Sequence, residues 1–154
     1  MAEHKATVAW QLSGPDFLHQ QYSRAHTWTF DGGAVVPASS SPANVALPWS
    51  DPAGVDPEEA LVAAVSSCHM LWWLSLAAQA GFAVESYRDE AVGQMTRDER
   101  GVWWISLVTL RPRIAYHGRA PTPAEETALH EAAHERCFIA HSIKARVVVD
   151  APRP

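Results

Sequence analysis

Between Ala60 and Val84 the chain carries no Asp, Glu, Lys or Arg, and this stretch is entered through Asp56-Pro57-Glu58-Glu59. Asp56 is a good N-cap, Pro57 suits the first helical position, where its missing N–H has no partner to lose, and two carboxylates follow at the positive end of the dipole. The predicted helix runs to about Ala80, and Gly81 supplies its stop. A run this long and apolar can also span a bilayer. Against that, Ser66, Ser67, His69, Ser75 and Gln79 interrupt it, no Lys or Arg cluster flanks it, and Glu59 and Glu85 bracket it. The preferred expectation is a central helix, apolar on every side because sheet and partner surfaces bury it, with no membrane involved.

Around this helix the periodicity changes. Ala6, Val8, Trp10 and Leu12 alternate with more polar neighbours, and His26 to Phe30 do so again before the turn signal Asp31-Gly32-Gly33, so two or three antiparallel strands are predicted there. Residues Pro37 to Asp56 are rich in Pro, Ser and Ala without a period, a segment expected to be mobile or to wrap a functional site. Val84–Thr96 and Val102–Tyr116 read as two long strands joined by the polar turn from Arg97 to Gly101. Pro112 and Arg113 place an edge or a bulge in the second of them. A second helix starts at Thr122-Pro123-Ala124-Glu125, which matches a capping box, and is expected to end near Cys137. Ile143 to Asp150 closes the chain as a strand with Ile143, Ala145, Val147 and Val149 on one face. Strands, helix, strands, helix, strand is the order of an α+β domain rather than a doubly wound sheet.

The chain has 154 residues, 47% of them hydrophobic and 19% charged, which suits a single globular domain with a sizeable core. A formal net charge of −5 offers no basic footprint for nucleic acid. Two cysteines are too few for a disulfide scaffold, and MAEHKATVAW lacks the apolar centre of a signal peptide, so a reducing cytoplasm is the expected compartment. Seven tryptophans predict large buried rings that need partners for their indole N–H groups.

Cys68 falls in the middle of the long helix and Cys137 at the end of the second. Each alone reads as a small buried hydrophobe. Together they admit redox chemistry if the fold brings the helices into contact, although spacing by itself does not establish that contact. A reactive thiol also needs a neighbouring cation to favour its thiolate, and Arg24, at the entry to a predicted strand, is a candidate. Glu58 and Glu59 are explained by helix capping, but a carboxylate near the same site can hold an arginine or accept a proton. His130-Glu131-Ala132-Ala133-His134 matches the H-E-x-x-H pattern of zinc peptidases. No well-placed third ligand follows, and solvated histidines on the outer face of the helix are the expected account.

Two segments carry a resemblance. Asp56-Pro-Glu-Glu-Ala-Leu-Val-Ala-Ala-Val-Ser-Ser-Cys68-His-Met and, later, Arg136-Cys-Phe-Ile-Ala-His-Ser-Ile143 resemble the osmotically inducible protein C and organic hydroperoxide resistance (OsmC/Ohr) family, and the likeness extends from the first strand to about Val149. The resemblance implies antiparallel sheets packed on a long central helix, two chains intertwined as a homodimer, and thiol-dependent reduction of hydroperoxides without metal, flavin or haem. By position, Cys68 looks like the attacking thiol and Cys137 the resolving one. Glu58 matches the family's Pro-Glu glutamate, and Arg24 is carried over as the arginine that activates the thiolate. That arginine stands here in Tyr-Ser-Arg-Ala-His, whereas the hydroperoxide-resistance branch holds it in Gly-Gly-Arg. Trp49 and Trp72 are candidate walls of an apolar substrate pocket. The family suggests a dithiol or small thiol as reductant, a lipoylated protein among them. The competing expectation is a relative that binds a small apolar ligand and whose thiols only sense redox state.

Overall fold

In the computed structural model residues 1–151 are described, and they form two units, Met1–Ala60 and the residues from Leu61 onward. The first unit is built on an antiparallel sheet ordered β1 (Ala6–Ala9), β2 (His26–Phe30), β3 (Val35–Ala38). The glycine-rich turn after Phe30 closes the β2–β3 hairpin, with the Phe30 N–H donating to the Ala34 carbonyl at 2.9 Å. Strand β1 stops at Ala9, short of the predicted alternation through Leu12. The Trp10 indole instead donates to the Ser23 carbonyl at 2.8 Å, and β1, an edge strand, is exposed along its whole length.

The segment from Pro37 to Asp56 is fastened at both ends. Val55 N–H donates to the Pro37 carbonyl at 3.0 Å, Ser39 N–H to the Val55 carbonyl at 3.1 Å, and Asp51 N–H to Ser39 Oγ at 2.9 Å. Ser39 is fully buried, so its hydroxyl ties the loop where water cannot compete. The Leu47–Pro48 bond is cis. At its end Asp56 Oδ1 accepts the Glu59 N–H at 2.8 Å and Glu59 Oε2 accepts the Asp56 N–H at 3.3 Å. This is a capping box that starts α1 (Pro57–Gln79).

In the second unit α1 buries Val65, His69, Trp73 and Ala77, one residue per turn and hence one stripe. The opposite stripe, Ala63, Ser67, Leu71 and Ser75, is exposed, with Leu71 63% accessible. The sequence expectation of burial on every side therefore holds for one face of α1 in a single chain. By length and composition α1 is also apolar enough to cross a membrane. Its buried stripe packs into two clusters. One gathers Trp73, Ala77, Phe82 and Ala133, and the other Val65, Val108 and Leu110.

The two long strands expected after α1 are each broken once. They form β4 (Ala83–Asp89) and β5 (Val92–Arg97), then β6 (Trp103–Leu110) and β7 (Pro112–His117). β4 pairs with β7 and β5 with β6, both antiparallel, so one long hairpin is divided into two sheets. The break has a local cause: Asp89 Oδ1 accepts the Arg111 N–H at 2.6 Å, Asp89 Oδ2 accepts the Ser66 hydroxyl at 2.5 Å, and Pro112 has no N–H for a ladder. Gly93 lets β5 approach α1, since a Cβ there would lie 2.5 Å from Val62 Cγ2.

Helix α2 (Pro123–Arg136) starts at the predicted box, with Thr122 N–H donating to Glu125 Oε2 at 2.7 Å. Cys137 ends it and caps the next helix, the single turn α3 (Phe138–His141). β8 (Arg146–Val149) then pairs parallel with β6, completing the sheet order β5-β6-β8. The face shared by Ile143, Ala145, Val147 and Val149 packs on the Val65 cluster as the sequence pattern predicts.

Candidate functional site

Cys68 lies on the flank of α1, between the buried and the exposed stripe, and is half-buried. Cys137 is 1% exposed. Its backbone breaks from helix to extended geometry (φ −70°, ψ 103°), which turns the chain between α2 and α3 and aims the sulfur at the Ala140 N–H, 3.4 Å away. Both are free thiols, and Cys68 is among the groups that act on the Cys137 sulfur. Burial, and then the Cys68 thiol beside it, push the Cys137 thiol up to about 11 against the Ala140 N–H, which favours the thiolate. The pair is therefore asymmetric, with one sulfur reachable and the other enclosed and protonated at neutral pH.

Aromatic side chains flank the thiols. Trp72, one turn beyond Cys68, is half-buried and meets Phe138, the residue after Cys137, edge to face at 5.6 Å and 84°. The Arg136 guanidinium lies 6.0 Å from the same indole.

In the first unit a groove of about 520 Å³ has walls of Trp10, Phe17, Tyr22, Arg24, His26 and Glu58, among others. The loop that shapes it is tight: Ser23 N–H donates to the Ser13 carbonyl at 2.7 Å and Gln21 N–H to the Asp16 carbonyl at 2.8 Å. Gly14 allows that fold-back, because its φ is +139° and a Cβ would stand 2.4 Å from the Gln21 carbonyl oxygen. Arg24 is held by it, donating to the Gln20 carbonyl at 2.8 Å and to Gln20 Oε1 at 2.9 Å, with its guanidinium 3.7 Å over the Tyr22 ring. Glu58 accepts from Asn44 Nδ2 at 3.2 Å. Arg24 and Glu58 thus share a groove, but no ion pair joins them among the described residues. Trp49 contributes through its backbone, its carbonyl accepting the Arg24 N–H at 2.9 Å.

The H-E-x-x-H helix differs from expectation. His130 faces inward, 5% exposed, with its Nδ1 3.0 Å from His69 Nε2 and the two rings stacked at 5.3 Å. Burial pulls both imidazoles down to about 4, so each is neutral at physiological pH. The cause of the difference is packing: His130 fills the space between α1 and α2 beside Trp73, 5.5 Å away. Among the described residues no three His, Cys, Asp or Glu side chains converge as a metal site.

The two cysteines, Arg24 and Glu58 stand in motifs visible in the sequence, whereas Trp10, Phe17 and Tyr22 as groove walls, and Phe138, do not. The three groove walls are separated by irregular chain with no period, and the only available signal was the Gly14-Pro15 turn that folds them together. Phe17 and Tyr22 stack with centroids 4.6 Å apart, and Trp10 meets Tyr22 edge to face at 5.5 Å.

Residues 50–151 match the family model described as OsmC-like protein, and the chain belongs to that family. It is 47% identical to an OsmC-like protein of unknown function from Vibrio cholerae O1 biovar El Tor, over 99% of this chain and 100% of that one, with a TM-score of 0.95. An organic hydroperoxide resistance protein from Elizabethkingia anophelis shares the fold at 16% identity, with a TM-score of 0.71 over 98% of this chain and 94% of that one. So does the organic hydroperoxide resistance protein OhrB of Bacillus subtilis, at 19% identity and a TM-score of 0.65 over 97% and 96% of the two chains. None of the curated proteins compared matches this chain.

Proposed function

We propose that this protein is a two-cysteine hydroperoxide reductase. The observation that carries the reading is the pair of free thiols that act on one another, with Cys68 the more accessible and Cys137 enclosed. The Cys68 thiolate attacks the terminal peroxide oxygen, the O–O bond breaks, the alcohol leaves with a proton, and Cys68 becomes a sulfenic acid. Cys137 then attacks that sulfur, its proton leaves with the hydroxyl as water, and a Cys68–Cys137 disulfide remains. An external dithiol or thiol, a lipoylated protein being one class, returns the pair to thiols. Arg24 is the proposed cation for the thiolate and Glu58 its companion carboxylate. Their support is the family resemblance together with the groove they share, whose aromatic walls suit the organic part of a hydroperoxide. A homodimer is part of the same reading, supported by the exposed apolar Leu71 on α1.

That aromatic groove also favours a second reading, a binding protein for a small apolar ligand with little peroxidase activity. Stopped-flow oxidation of the reduced protein by an alkyl hydroperoxide separates them. The reductase reading expects rapid, stoichiometric oxidation that Cys68→Ser abolishes. A rate no greater than that of an ordinary free thiol leaves the binding protein. Arg24→Ala is expected to raise the pH at which Cys68 becomes reactive, and an unchanged titration would assign that role to another cation.

A further inference from the structure

Cys137 is carried on a joint. It closes α2, opens α3, and α3 is a single turn that buries none of its own residues. A disulfide needs its two Cα atoms about 4.4–6.8 Å apart and a Cβ–S–S–Cβ dihedral near a right angle, so whatever seats this turn against α1 decides how readily the sulfurs join. Two backbone-directed contacts tie the turn to its own neighbourhood: Ser142 Oγ donates to the Phe138 carbonyl at 2.7 Å, and a His141 ring nitrogen lies 2.8 Å from the Glu135 carbonyl oxygen. Neither reaches α1. Ile139 packs against the cluster that includes Val65 of α1, and Phe138 reaches α1 beside the thiols, through its edge-to-face contact with Trp72. The ring partners occupy linked positions: Trp72 follows Cys68 by one helical turn, and Phe138 follows Cys137 directly. Phe138 is nonetheless 68% exposed, so a large apolar side chain is kept at the surface where, among the described residues, its aromatic partner is the tryptophan beside the other thiol.

We infer that the Phe138–Trp72 contact is a clasp that seats the α3 turn on α1 and sets the effective concentration of the Cys137 thiol at Cys68. Phe138 is accordingly a positioning residue for disulfide closure. The inference rests on Cys68 and Cys137 acting as a redox pair, but not on a peroxide being the oxidant.

Equilibration of the folded protein with glutathione and glutathione disulfide tests it without peroxide. Glutathione disulfide takes two electrons from the thiol pair, yielding the Cys68–Cys137 disulfide and two glutathiones, and the equilibrium position reports the effective concentration. Phe138→Ala is expected to lower it about three- to tenfold, the scale of one aromatic pair, with recovery in Phe138→Trp. With Trp72→Leu already in place, Phe138→Leu should lower it further by much less than in the parent, because the contact is already lost. In a separate measurement with excess alkyl hydroperoxide, the ratio of sulfinic acid to disulfide at Cys68 should rise in Phe138→Ala, because an unresolved sulfenic acid waits longer for oxidation by a second hydroperoxide molecule. An effective concentration unchanged in Phe138→Ala, or additive losses in the Trp72/Phe138 cycle, would overturn the clasp. A protein that equilibrates with glutathione as expected but does not react with hydroperoxide would overturn the reductase reading and leave the clasp standing.

Discussion

At the scale of single residues, the governing fact is the position of one proton. Cys137 holds its proton to about pH 11 because its sulfur is enclosed and faces another thiol. Alkylation of the reduced protein at pH 7.5 is therefore expected to modify Cys68 at least about tenfold faster than Cys137, since the raised pKa of Cys137 and its enclosure both slow its own reaction. Peptide mapping after a short exposure to iodoacetamide checks this, and equal labelling of both would contradict it. Trp73, fully buried against Ala77 and Ala133, marks the cost of losing a core ring: Trp73→Ala should destabilise the protein by about 3–5 kcal/mol in urea unfolding. The cysteines were legible in the sequence because each sits in a motif. The inward turn of His130 was not, because α2 mixes Ala, Glu and His on every side and nothing in its pattern tells the core from the solvent face.

At the scale of elements, α1 and α2 are joined by the His69–His130 contact. Both rings have a folded-state pKa near 4 against an ordinary value of 6.5. Between those values the unfolded chain binds protons that the folded chain refuses, so the helix pair keeps its full stability above about pH 6.5 and loses it as the pH falls toward 4. The loss approaches about 1.4 kcal/mol per pH unit for each ring. Urea midpoints between pH 7.5 and 4.5 should fall more steeply than in His130→Gln, and equal slopes would show that the imidazoles do not drive the loss. Asp89 has a comparable role for the hairpin, holding both Arg111 and Ser66. Asp89→Ala should cost about 1–3 kcal/mol, since it leaves two donors without their acceptor. The hairpin itself was legible as two alternating runs. Its division was not, because it depends on a carboxylate reaching two residues distant in sequence, Ser66 and Arg111.

At the scale of the whole molecule, the α+β order of elements, the long helix and its cap were all written in local signals, and the family fold accounts for their assembly. The stripe of Ala63, Ser67, Leu71 and Ser75, which the uncharged sequence of α1 predicts to be buried, is open in one chain. A homodimer is the expected state in sedimentation, and Leu71→Glu is expected to shift it toward monomer by placing a charge on that stripe. An unshifted dimer would place the contact elsewhere on the molecule. One consequence of the doubled cap at Cys137 extends past its chemistry. The sulfur that accepts the Ala140 amide in the reduced protein is the same sulfur that would enter a disulfide, so the first backbone amides of α3 and the oxidation state of the pair draw on one atom. If the pair closes as proposed, proton exchange at Ala140 is expected to change with it, a gauge of redox state carried by the main chain and readable without a label on either cysteine.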